Sequence, residues 1–95
     1  MSIKQFADSD NMAVFTTSFV LNGKDITTVY HDKEDGAWQF MSSDKYENYE
    51  TVAKIVCLSE IVEMDSTLLE IADLQLGYYA YRKSKSDSWV IKPNS

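Results

Sequence analysis

The chain has one cysteine, one histidine, one proline and three glycines in 95 residues, and each scarcity excludes something. A solitary Cys57 rules out an internal disulfide and a cysteine-rich zinc site, and it favours a reducing compartment. The three glycines, at 23, 36 and 77, are too far apart for a P-loop or a dinucleotide-binding fingerprint, and neither pattern is present. No apolar run approaches the roughly 20 residues that span a bilayer as a helix. The opening "MSIKQFADSDNMAVF" holds one Lys and no apolar stretch of the kind a secretory leader needs, so a cytoplasmic location is expected. His31 could serve in a catalytic pair with Cys57, but no spacing links them. "DSDN" at 8–11 resembles the start of a calcium loop, but Ala13 stands where the turn glycine belongs and Phe19 where the last carboxylate belongs. No cofactor, no metal and no enzymatic activity are expected.

What is present suffices for one small domain: 44% hydrophobic and 13% aromatic residues can build a core without staples. The formal net charge of −6 is unevenly spread. Residues 32–50 hold six acids and two bases, residues 59–73 hold five acids and no base, and residues 82–92 hold four bases and one acid. Such a surface repels nucleic acid and suits a basic protein partner, although acids also serve simply to keep a small domain in solution.

Periodicity supplies the elements. The decapeptide at the start is polar, and residues 1–11 are expected to be loosely ordered. "AVFTTSFVL" and "KDITTVYH" flank Asn22-Gly23, the strongest short-range signal for a hairpin. A two-residue turn there pairs Phe19 with Ile26, Thr17 with Thr28 and Phe15 with Tyr30, placing Phe15, Phe19, Leu21, Ile26 and Tyr30 on one face. The opposite face carries Thr16, Ser18, Asp25, Thr27 and His31, with valines between them. "DKEDG" reads as a turn into a third strand, "AWQFM", whose Trp38 and Phe40 extend the face of Phe19 and Tyr30 into the core. Residues 44–51 read as loop, and 52–58 as strand or helix. Ser59 is a cap for a turn holding Ile61, Val62 and Met64; Asp65 or Ser66 caps "TLLEIADL", where Leu68, Ile71 and Ala72 share a face. After Gly77, "YYAYR" and "SWVIK" are two strands around "KSKSD". The expected fold is α+β: an antiparallel sheet of about five strands beginning with a meander, and short helices packed on one face, all in a single domain.

Tyrosine is the suggestive excess. Tyr78 and Tyr79 are adjacent on a strand and cannot both enter one core. Tyr46 and Tyr49 stand among acids, a combination that protein-binding surfaces use. The candidate partner-binding residues are therefore Asp44, Tyr46, Glu47, Tyr49, Glu50, Glu60 and Glu63.

The order of features also resembles a known family. A strand–"NG"–strand segment precedes an acid-rich turn and a stretch with Gly36, Trp38 and Phe40. After the polar loop "SSDKYEN" come Ile55, Leu58, Ile61 and Asp65 in an I-x-x-L-x-x-I-x-x-x-D pattern, and then Gly77 leading a strand that ends in Arg82. Over about residues 13–92 this resembles the bacterial immunity protein thirty-three-like family. The chain departs from that pattern at Ser42-Ser43-Asp44, where a glycine before an acid is usual, and at Ser66, where a proline often stands. The resemblance implies an α+β binding protein that neutralises a toxin of the same or a neighbouring cell, with no catalytic residues to transfer. The alternative is an accessory or ligand-binding domain outside toxin systems.

Overall fold

The computed structural model describes residues 4–94. Six strands form one mixed sheet: β1 (Ala13–Thr17), β2 (Thr28–His31), β3 (Trp38–Met41), β4 (Ala53–Cys57), β5 (Tyr78–Tyr81) and β6 (Val90–Pro93). Their order across the sheet is β4-β1-β3-β2-β5-β6. Every pairing is antiparallel except β1 with β3, which run parallel. The fold is α+β, as expected, but the sheet is mixed and the opening meander does not form.

The Asn-Gly dipeptide explains the difference. Thr17 accepts the Val20 amide on its hydroxyl and starts a single helical turn, α1 (Ser18–Leu21). Asn22 has φ −89° and Gly23 φ +108°, whereas a type I′ hairpin turn requires positive φ at both. The Gly23 amide bonds the Val20 carbonyl at 3.0 Å and the Lys24 amide bonds the Phe19 carbonyl at 3.0 Å. Those two bonds make a Schellman ending with glycine just past the helix cap. The dipeptide thus closes a helix instead of joining two strands. Phe19 and Ile26 are not cross-strand neighbours; Phe15 pairs with Ile55 and Gln39, and Thr17 with Ala53.

The second turn behaves as expected. Asp32 and Ala37 close it with a 2.8 Å bond from the Asp32 amide, Gly36 supplies φ +72°, and β2 and β3 pair His31 with Trp38 and Val29 with Phe40. That register reverses the expected faces. Trp38 (1% exposed) and Phe40 (0%) are in the core, but their companions are Val14, Thr16, Val29 and Ala80, the slimmer alternate set. Phe15 and Tyr30 point to the other side, away from the core. His31, expected among solvated groups, stacks on the Trp38 ring at 3.8 Å and donates from Nδ1 to the Leu74 carbonyl at 2.7 Å.

Residues 53–57 are strand, paired along their length with β1. α3 (Leu58–Met64) follows directly, so Ser59 lies inside the helix; Cys57 holds the cap position, its amide donating to the Glu60 carboxylate at 3.3 Å. Asp65 caps a 3-10 helix, Ser66–Ile71, by accepting the Thr67 amide at 3.0 Å. Leu58, Ile61, Leu68 and Ile71 from these two helices close the core over the sheet. Residues 1–3 lie outside the described part. From residue 4 onward the N-terminal segment crosses the same face: Phe6 meets Trp38 edge-on at 4.9 Å, and Asp8 accepts the Trp38 Nε1 hydrogen at 2.8 Å.

One polar group sits deep in this layer. Arg82 is 6% exposed and reaches four partners: the Ile26 carbonyl from Nε (3.0 Å), Thr67 Oγ1 (2.8 Å) and the Lys85 carbonyl (3.2 Å) from Nη1, and Asp65 Oδ2 from Nη2 (2.8 Å). Its guanidinium also lies 3.9 Å from the centre of the Trp89 ring. The 3-10 helix, the segment leading into β2 and the β5–β6 connection are thereby tied at one point.

Candidate functional site

The sheet face away from the core is where the aromatic residues gather. Register puts Phe15, Gln39, Tyr30 and Tyr79 side by side across β1, β3, β2 and β5, with Met41, Thr28 and Tyr81 in the next row. Tyr79 stacks between Tyr30 (5.8 Å) and Tyr81 (5.8 Å), forming a ladder that holds the Tyr30 ring in place. The polar segment after β3 rises beside this face and leads into α2 (Tyr49–Val52), begun by the Asn48 side chain accepting the Glu50 amide at 2.9 Å.

Between the segment and the sheet lies an open cleft of about 370 Å³. Tyr30, Gln39, Thr28 and Met41 form its floor, and Ser42, Asp44, Tyr46 and Tyr49 its wall. The volume falls within the range of small-ligand and side-chain pockets. The Tyr46 and Tyr49 rings meet at 5.9 Å with a 47° tilt, so they present two faces rather than one flat plate. Gln39 donates from Nε2 to Asp32 at 2.8 Å, which orients its amide and leaves the oxygen to accept.

The cleft carries the Asp44 carboxylate in its wall and the Asp32 carboxylate beside Gln39. Desolvation raises the Tyr30 hydroxyl above its ordinary pKa, and Tyr79 and Tyr46 add to it. The Tyr49 hydroxyl rises for the same first reason, helped by Tyr46 and by the Asp32 carboxylate. Among the described residues, neither ion pair involves Asp32, Asp44, Glu47 or Glu50: one joins Lys4 to Asp73 and the other Arg82 to Asp65.

Of the seven residues expected to bind a partner, the structure brings five together. Asp44, Tyr46 and Tyr49 line the cleft, and Glu47 and Glu50 are exposed on the same segment. Glu60 and Glu63 belong to α3, in the layer that covers the opposite face, and Glu60 is engaged at the start of that helix. The floor residues Tyr30 and Gln39 were not among the seven. Their signal was the recurrence of tyrosine at alternate positions, Tyr79 and Tyr81, which stacks with Tyr30 on the face away from the core.

His31 and Cys57 do not meet. Two strands stand between theirs, three interstrand spacings or about 14 Å. Desolvation and the neighbouring Glu60 carboxylate raise the Cys57 thiol pKa, opposite to what a nucleophilic thiolate needs. Among the described residues no group of three or more His, Cys, Asp or Glu side chains is placed to hold a metal ion, and no helix is long and apolar enough to cross a membrane.

Searches against protein-family models, curated proteins and solved structures returned no match to this chain.

Proposed function

We propose that this chain is a small cytoplasmic binding protein that recognises a basic protein partner, in the manner of an immunity protein masking a toxin, through the tyrosine-walled cleft and its acidic rim. The carrying observation is the convergence of Asp44, Tyr46 and Tyr49 from the loop with Tyr30 from the sheet around one cleft. The residues behind the family resemblance support the reading from a different side. Trp38 and Phe40 are core, and Asp65 and Arg82 form the buried ion pair. The resembling pattern thus includes residues that hold the fold, and its polar loop supplies Ser42, Asp44 and Tyr46 to the cleft wall, while Ile55 is exposed on β4.

Complementary charge acts mainly on encounter and is screened over about 8 Å at physiological ionic strength, while aromatic anchors set residence time. The test is affinity capture from the source cell, identification of the bound protein by mass spectrometry, and kinetics with the purified pair. Association slows with added salt and with Asp44→Asn, Glu47→Gln and Glu50→Gln combined; Tyr49→Ala instead speeds dissociation. A partner whose association ignores both salt and these charges would reduce the acidic rim to a solubilising role. The cleft volume also suits a second reading, a ligand-binding accessory domain outside toxin systems. A toxin-like reading frame beside the gene separates the two.

A further inference from the structure

The cleft has a more specific chemistry than a generally acidic surface. An apolar occupant would strand the Asp44 carboxylate and the Gln39 amide oxygen without partners, which is costly in proportion to their burial. An anion would meet Asp44, with Asp32 behind Gln39. A cation finds three tyrosine rings, whose faces are negative, and acceptors between them.

The protein does not fill the place itself. Its sole arginine, Arg82, is buried on Trp89, and Lys92 lies 5.9 Å from the Tyr81 ring. Among the described residues no cation sits on Tyr30, Tyr46 or Tyr49. Between the two natural side-chain cations the arrangement favours the planar one. A guanidinium is weakly hydrated, stacks flat on an aromatic ring and directs five N–H groups in its own plane, whereas an ammonium keeps its water. The Tyr30 ring, fixed by its stack on Tyr79, offers such a flat floor, and Asp44 and Gln39 supply acceptors around it.

We infer that the cleft is an aromatic cage for a guanidinium group, formed by Tyr30, Tyr46 and Tyr49 with Asp44 and Gln39, and that it takes an arginine side chain of the partner. The occupant's source rests on the function proposed above; the chemistry of the cage does not.

The experiment uses the full chain alone, labelled for NMR, and titrates three probes: Nα-acetyl-arginine methylamide, the corresponding citrulline amide and the lysine amide. Citrulline keeps the shape of arginine but replaces the charged group with a neutral urea. The arginine probe gives saturable shifts at Thr28, Gln39, Met41 and Asp44, and citrulline and lysine bind more weakly. Removal of one ring by Tyr49→Leu or Tyr46→Leu weakens arginine binding by about two- to fivefold, the worth of one exposed cation–π contact. Both residues are outside the core, and unchanged signals from Val14, Val29 and Leu68 verify that each variant is folded. Citrulline or lysine binding as well as arginine, or shifts that map away from the cleft, would overturn the assignment. So would a captured partner that binds through the acidic rim while the cleft signals stay still; that result removes the cage and leaves the partner reading standing.

Discussion

Arg82→Met is the perturbation with the most to say about this fold. The Arg82 and Asp65 side chains are 1% and 6% exposed, and their contact is 2.8 Å. Methionine fills much of the space but supplies none of the four hydrogen bonds, so the Asp65 carboxylate loses its counter-charge and the Ile26 carbonyl its donor. Breaking a buried pair from one side costs about 3–5 kcal/mol, because a charge remains without compensation. A domain of this length has a total stability of only about 5–14 kcal/mol. Urea unfolding followed by Trp fluorescence should therefore show a loss of about a fifth or more of the unfolding free energy. The double variant Asp65→Asn/Arg82→Met separates charge from packing. Asparagine still accepts the Thr67 amide at the start of the 3-10 helix and carries no charge, so the double variant should be more stable than Arg82→Met by about 2 kcal/mol. A single variant that unfolds like the parent would show that the ion pair ties nothing together. A double variant no better than the single one would show that the cost lies in lost contacts and not in the stranded charge.

Phe40→Ala should cost about 3–5 kcal/mol by thermal or urea unfolding, as for other buried aromatics truncated to alanine; a melting curve like the parent's would place the ring outside the core. Tyr30 and Tyr49 should ionise last in an alkaline absorbance titration at 295 nm, because both hydroxyls are raised above the ordinary value of 10.0. The sign follows from linkage: the unfolded chain releases these protons first, so their contribution is intact below about pH 10 and is lost as pH rises through the folded values. Asp32→Asn should advance the Tyr49 titration, and a Tyr49 titration unmoved by that change would remove the part assigned to the Asp32 carboxylate.

The parts of the fold readable in advance were those decided locally. The turn before Trp38, a cap at Asp65 (one of the two residues expected) and two strands after Gly77 depend on residues within a few positions of each other, and they form, the last of them shifted to Val90–Pro93. Asn22-Gly23 failed because one dipeptide serves two local structures, and the Thr17 hydroxyl, which nucleates the turn before it, tips the choice to a helix end. Alternation within each strand was legible, but not which strands share a face: Ile26, Trp38 and Phe40, expected beside Tyr30, are in the core, and Tyr30 is not. Pairing of Val29 with Phe40, decided across the sheet, buries the valines and sends Tyr30 outward. For the same reason the wall of the cleft was legible, in Asp44, Tyr46 and Tyr49 of one short segment, and its floor was not.

The parallel pairing of β1 and β3 has a consequence for how the chain is made. β1 precedes both strands it pairs with, Trp38–Met41 and Ala53–Cys57, in the chain. Val14 waits about 40 residues for Val56, which at 5–20 residues per second is roughly 2–8 s of synthesis with the β4 edge of the strand unpaired. The knot of contacts at Arg82 comes later still. Nascent chains that end before β5 hold every residue of the cleft without the guanidinium that fastens the helices to the sheet. Synthesis, rather than the finished molecule, is thus the stage at which this protein is most exposed to proteases and to its own neighbours.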